Sequence, residues 1–290
     1  MTSISKTETE KKLNTEYKIT WCPGCPNFRI LESTKIALTN LMKQGYKQEN
    51  FAMACGIGCH GKIFDYLNIS GLYGLHGRTI PNAIGLKLGN PNLNVIAFAG
   101  DGDTYSEGME HFVSAGKHNA NIALFVHDNQ SFSLTTGQPT PTSEKGFKNK
   151  IDFSGTKQTN PINPLALALS SGITFIARAN ARDVQGTAKI MEQAIKHKGF
   201  AFVEIIQDCI VFNVPINNRD KNMYYLDKIP PTKEEAMKLM QEYDYNIPTE
   251  NKKIALGIFW QEFRPTLEDQ FPQLQNIINK KTIGWKGLNR

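Results

Sequence analysis

Residues 94–103 read NVIAFAGDGD and residues 121–129 read NIALFVHDN. Asn94–Ala99 and Asn121–His127 are apolar runs of the kind a strand buried on both faces needs. Between them, Ser106 to about Lys117 carries helical spacing. Strand, helix, strand over so short a span is a parallel crossover, which sets the GDGD loop and the loop at Asn129 at one edge of the sheet. Outward from this unit the alternation repeats. Upstream lie a helix at Leu31–Lys43 with Gly45 past its end, a strand at Asn50–Cys55, a short helix to about Leu67 and a helix at Arg78–Leu88. Downstream lie a helix at Pro164–Ser171, a strand at Ile173–Ala177, a helix at Ala181–His197 and a strand at Phe200–Ile206. The pattern predicts a doubly wound, mostly parallel α/β domain over residues 17–215. Residues 1–16 read as a flexible, solvated N-terminal arm. Residues 216–290 turn polar and Pro-rich, with a helix at Thr232–Tyr243 and little sheet signal, and read as a C-terminal lid or tail.

Ligands of doubly wound sheets bind beyond the carboxyl ends of the strands. The loops after Ala54, Ala99 and His127 are therefore where chemistry is expected. Asn129 stands 27 residues past Gly102, one helix and one strand away, beside Asp101. A carboxylate, an amide oxygen and loop carbonyls suit Mg²⁺, a hard cation that also takes phosphate oxygens. Glycines on both sides of Asp101 let the backbone come close to a diphosphate at a helix N-terminus. This arrangement resembles the diphosphate motif of thiamine-dependent enzymes, with Gln130 in place of the usual second Asn.

Of the five cysteines, Cys22 and Cys25 share the tight turn Trp21-Cys22-Pro23-Gly24-Cys25, Cys55 and Cys59 are four apart, and Cys209 follows a strand. The odd count, with no export signal in the first eighteen residues, argues against a disulfide framework. Spacing alone leaves zinc and a [4Fe–4S] cluster equally open. The net charge of +6 is spread out, with small clusters at Lys145–Lys150 and Lys280–Lys286, and reads as solvated surface with no nucleic-acid partner. No run approaches the twenty or so apolar residues of a membrane span, and a cytoplasmic location is expected.

Taken together, WCPGC, GIGC, HGR, GDGD and DN resemble the β subunit of the 2-oxoacid:ferredoxin oxidoreductases over about residues 17–230. Gly58–Lys62 and Leu75–Arg78 look most like the two-subunit, 2-oxoglutarate-type branch. Pro26-Asn27-Phe28-Arg29 departs from the family where glycines usually stand, and His60 stands where a serine is usual. The resemblance implies one [4Fe–4S] cluster on Cys22, Cys25, Cys59 and Cys209. It implies Mg²⁺ on Asp101, Asn129 and the carbonyl of Ser131, and thiamine diphosphate lined by Ile57, Gly58, Cys59, His60, Gly102, Asp103, Ser133 and Leu134. Lys62 would face the 2-oxoacid, although by position alone it reads as a solvated lysine. Cys55 is left as a spare, and His76 and Arg78 either touch cofactor or shape their loop. The implied reaction is coenzyme A-dependent oxidative decarboxylation of 2-oxoglutarate or pyruvate to acyl-CoA and CO₂, with electrons passed to ferredoxin. One sheet domain accounts for the diphosphate half of a thiamine site, so an α subunit would supply the pyrimidine half in an obligate heterodimer or its dimer. The alternatives are a non-redox thiamine diphosphate decarboxylase or synthase subunit, a zinc-ribbon nucleic-acid-binding protein, and a non-catalytic scaffold subunit.

Overall fold

The computed structural model describes residues 12–150, 153, 155–157, 159–214, 219–246 and 252–279. The strands are β1 (Phe51–Cys55), β2 (Ser70–Tyr73), β3 (Asn94–Gly100), β4 (Ala123–Asp128), β5 (Phe175–Asn180), β6 (Ala201–Ile206), β7 (Met223–Tyr225) and β8 (Ile254–Gln261). The helices are α1 (Asn27–Lys43), α2 (Ile63–Tyr66), α3 (Thr79–Gly89), α4 (Met109–His118), α5 (Pro164–Ser170), α6 (Val184–Lys196), α7 (Lys233–Met240) and α8 (Pro272–Ile278). The strands form one eight-stranded sheet in the order β2-β1-β3-β4-β6-β5-β8-β7. Every pairing is parallel except β5 with β8.

The central strands β1, β4, β5 and β6 are buried along their whole length. That is why their sequences are mostly apolar rather than alternating; the buried exceptions are His127 and Asp128 in β4, Arg178 and Asn180 in β5, and Glu204 in β6. Phe51, Phe98, Phe125 and Phe175 face one layer, where Leu38, Leu41 and Met191 of the packed pair α1 and α6 meet them. On the other face, Leu124, Ile176 and Phe202 pack with Phe112 of α4 and Leu165 of α5. Phe112 meets Phe202 edge-on at 5.0 Å between centroids, a favoured aromatic geometry.

Register sets the position of the site. Cys55 pairs with Phe98 and Gly100 with His127, so β1, β3 and β4 end level with one another. From β1 the chain runs outward to β2 and then returns across β1 to β3. The crevice at such a reversal is where doubly wound sheets bind ligands.

Two expectations differ from the structure at the termini. Residues 1–11 of the expected arm, and the basic cluster at Lys280–Lys286, lie outside the described residues. From Leu13 onward the arm is packed: Leu13 is fully buried and Asn14 bridges Leu67. The C-terminal segment also carries more sheet than its sequence suggests. β8 pairs antiparallel with β5 and parallel with β7, extending the same sheet. Gly257, at φ +115, interrupts the apolar run of β8, and half of the strand is only partly buried. Its strand signal is correspondingly weak. Phe259 of β8 is fully buried in the second core. Phe259→Ala should cost about 3–5 kcal/mol in chemical denaturation of the whole chain. A cost below about 1 kcal/mol, the level of a surface substitution, would make β8 a detachable flap.

Candidate functional site

The loops after β1, β3 and β4 wall a single cleft. Ile57, Gly58, Cys59 and His60 line it from the first loop, Asp101, Gly102 and Asp103 from the second, and Asn129, Ser131, Ser133 and Leu134 from the third. Every residue expected at the diphosphate and its cation therefore borders one space. The turn into α4 is wider and begins earlier than expected: a π-helical turn at Asp103–Glu107 precedes the α-helix, a distortion common at functional sites. The flanking glycines make room for rings. A Cβ on Gly100 would lie 2.7 Å from His60, and one on Gly102 2.2 Å from Phe132. Asn129 Oδ1 accepts the Ser131 backbone N–H at 3.0 Å, closing the third loop, and Ser131 Oγ has no partner among the described residues. Gln130 adopts a left-handed conformation, φ +56, which Asn tolerates better than Gln. Its buried amide donates to Tyr243 Oη at 3.3 Å.

Asp101 is 2 % exposed. Burial raises its carboxyl to about 6, against the hydrogen bonds it accepts. Thr142 Oγ1 lies 2.9 Å from Asp101 Oδ2 and 3.0 Å from Asp128 Oδ1. Tyr245 Oη lies 2.6 Å from Asp128 Oδ2 and 3.1 Å from Glu204 Oε1. Two hydroxyl protons serve four carboxylate contacts, so the chain needs another proton or a cation. Burial, together with the charges of Asp101 and Glu204, holds Asp128 well above the usual carboxylate range. The far end is neutralised by Arg178, whose Nε donates to Glu204 at 2.5 Å.

Asp103 has a different task from Asp101. It accepts the Gly77 backbone N–H at 2.6 Å and the Thr79 hydroxyl at 2.8 Å, and His60 Nε2 lies 3.6 Å away. Burial would raise its carboxyl, but these partners outweigh burial and hold it below the usual range. Asp103 thus pins the loop carrying His76, Gly77 and Arg78. Gly77, at φ +71, sits where a Cβ would strike Glu107 at 2.5 Å. Arg78 Nη1 donates to the Glu107 carbonyl at 3.1 Å and shapes the loop, whereas His76 lines the cleft.

Cys22, Cys25, Cys59 and Cys209 line a second, smaller cavity that shares Cys59, Asn129 and Ser133 with the cleft. Burial, with the charge of neighbouring cysteines, pushes Cys25 and Cys59 up to about 11. A bound metal centre reverses such a shift by holding the thiolate. Ser133 Oγ donates to Cys209 Sγ at 3.1 Å. Among the described residues, no three His, Cys, Asp or Glu side chains are grouped for a single metal ion. Cys55 lies apart from the other four, fully buried in the first core. Lys62 does not line the cleft; its ammonium reaches Thr20 Oγ1 at 3.2 Å and the Thr20 carbonyl at 3.4 Å. His111 and His118 make local contacts, with Glu110 and with the Ser114 carbonyl.

Sequence reasoning missed several residues at the site, Phe132 and Thr135 of the cleft wall among them. His127 lines the cleft and Asn27 lines the cysteine cavity, and the two meet at 2.8 Å. Burial lowers His127 well below its usual range, so it stays neutral. A histidine ending an otherwise apolar strand was the available signal. Thr142 sits in a loop legible only as Thr- and Pro-rich.

The fold and cleft define a thiamine diphosphate-binding domain, and residues 56–205 match the thiamine pyrophosphate enzyme, C-terminal TPP binding domain. The chain is 40 % identical over 263 residues to a 2-oxoacid:ferredoxin oxidoreductase subunit beta of Sulfolobus sp, covering 86 % of this chain and 84 % of that one. It is 33 % identical over 238 residues to the 2-oxoglutarate synthase subunit KorB of Archaeoglobus fulgidus, covering 78 % and 87 %. A solved 2-oxoglutarate:ferredoxin oxidoreductase from Magnetococcus marinus, with 2-oxoglutarate, coenzyme A and succinyl-CoA bound, superimposes with a TM-score of 0.85 at 29 % identity over 98 % of this chain and 94 % of that one. The chain belongs to the 2-oxoacid:ferredoxin oxidoreductase β subunits.

If the four cysteines of the cavity hold iron, Cys59 of the first loop and Cys55 at the end of β1 should behave differently in mutants. Cys59→Ser should lose iron, because a hard hydroxyl replaces a soft thiolate. Cys55→Ser should keep its iron at a cost of about 1 kcal/mol. Iron per protein checks both, and equal loss in the two variants would overturn the ligand choice.

Proposed function

We propose that the chain binds thiamine diphosphate through Mg²⁺, carries one [4Fe–4S] cluster, and oxidatively decarboxylates 2-oxoacids with coenzyme A for ferredoxin, in a cytoplasmic complex with an α subunit. One observation carries the reading: the expected cofactor residues border a single cleft, and four cysteines border a cavity sharing three residues with it. In this reading Asp101, Asn129 and the Ser131 carbonyl hold Mg²⁺. The proton-deficient carboxylate chain behind Asp101 favours a cation at that point. Thiamine diphosphate supplies the electron sink for decarboxylation, and the cluster takes up electrons singly. Four cysteines set around a cavity, rather than grouped about one point, suit a cluster better than zinc. Cys22 is exposed, which gives electrons a short exit to ferredoxin. Phe132 and Leu134 wall the cleft with apolar surface and limit water there. The α subunit completes the pyrimidine side, in keeping with the β-subunit names of the relatives.

The direct test is coenzyme A-dependent dye reduction by the complex with 2-oxoglutarate, pyruvate and 2-oxobutyrate. No reduction with any of them, from complex loaded with iron and cofactor, would sink the reading. Asp101→Ala should abolish thiamine diphosphate binding and leave iron content unchanged. Full cofactor occupancy in that variant would remove Asp101 from the cation site.

Lys62 stands three residues past Cys59, loosely held by Thr20. A flexible ammonium suits a substrate carboxylate because it needs no bidentate alignment. Lys62→Ala should lower kcat/KM about 30- to 1000-fold, the cost of an unpaired carboxylate, with iron and thiamine diphosphate contents unchanged. A greater loss for 2-oxoglutarate than for pyruvate would place it at the distal carboxylate. Unaltered kinetics on both would return it to the surface.

A further inference from the structure

The segment Thr140–Ser143 is a cluster of hydroxyls packed against Asp101. Thr142 is fully buried and Thr140 is 6 % exposed. Thr140 Oγ1 lies 3.2 Å from Thr142 Oγ1 and 3.3 Å from Ser143 Oγ. Ser143 Oγ in turn donates to the Gln130 carbonyl at 2.6 Å, tying the segment to the loop that carries Asn129 and Ser131. Thr142 reaches Asp101 at 2.9 Å and is itself backed by Asp128 at 3.0 Å. Asp128 is anchored by Tyr245 of the C-terminal segment at 2.6 Å. Neither Thr140 nor Thr142 lines the cleft.

We propose that Thr142 is a positioning residue for the cation site: held from behind by Asp128, its hydroxyl fixes the Asp101 carboxylate at the wall of the cleft. The proposal rests on the reading of Asp101 as a Mg²⁺ ligand and adds what orients it. The terminal torsion of an aspartate is broad, and a directional partner fixes its value. Thr142 Oγ1 bonds directly to Asp101 at 2.9 Å, Thr140 adds a second hydroxyl to the same carboxylate, and of the two only Thr142 is also held by Asp128, at 3.0 Å. Partners of this kind behind a metal ligand change metal affinity by about 10- to 100-fold when removed.

The experiment titrates Mg²⁺ into the complex with its α subunit at fixed thiamine diphosphate. Cofactor binding is followed by tryptophan fluorescence, with iron content and thermal midpoint recorded in parallel. Thr142→Val keeps the shape and removes the hydroxyl. Its half-saturating Mg²⁺ should rise about 10- to 100-fold, with iron unchanged. Thr142→Ser restores the hydroxyl and should stay within about threefold of the parent protein, well below that range. If Thr142→Val does not fold, Thr142→Ala tests the same loss without the branched methyl groups. A lower thermal midpoint with unchanged Mg²⁺ dependence would make the role merely structural and overturn the proposal, as would a Ser variant no better than Val. Failure of the parent complex to need Mg²⁺ for cofactor binding would instead sink the cation site itself.

Discussion

Asp101 follows the last residue of β3 with its carboxylate out of water, and a buried carboxylate must be given partners or a proton. It is supplied through Thr142 to Asp128, from Asp128 through Tyr245 to Glu204, and from Glu204 to Arg178. That chain joins the ends of β3 and β4 to β6, β5 and the C-terminal segment. Arg178 is fully buried, its guanidinium lying 5.2 Å from the Tyr243 ring and 5.6 Å from that of Phe259 in β8. The segment after residue 219 is therefore the far abutment of the site rather than a covering laid over it. Arg219 adds a second buried cation, donating to Tyr243 Oη at 3.0 Å and to the Gln207 carbonyl at 2.7 Å.

A second constraint is the separation of the two aspartates of GDGD. Asp101 turns back into the buried chain, while Asp103 turns outward to hold Gly77 and Thr79. The loop with His76 and Arg78 is thereby hung on the same strand that presents Asp101. The cysteine cavity is joined to the cleft through Asn27 and His127, whose hydrogen bond crosses between their walls.

The sequence by itself determined the layered α/β fold, the strands buried on both faces, the loops at which ligands would gather and the cysteines set apart from Cys55. Those features are local: apolar runs, helical spacing and glycines at turns act over a few residues. The joint occurrence of the motifs also determined the family, and hence the residues of the cleft. Tertiary structure alone decided the placing of β8 beside β5, since a half-buried strand broken by Gly257 has little local signature. It alone brought Thr142 to Asp101 across 41 residues and Tyr245 to Asp128 across 117. It also brought Lys62 to Thr20, and set His127 and Asn27 against each other. Such pairings depend on where remote segments meet and on which buried groups still lack a partner, and no window of sequence carries that.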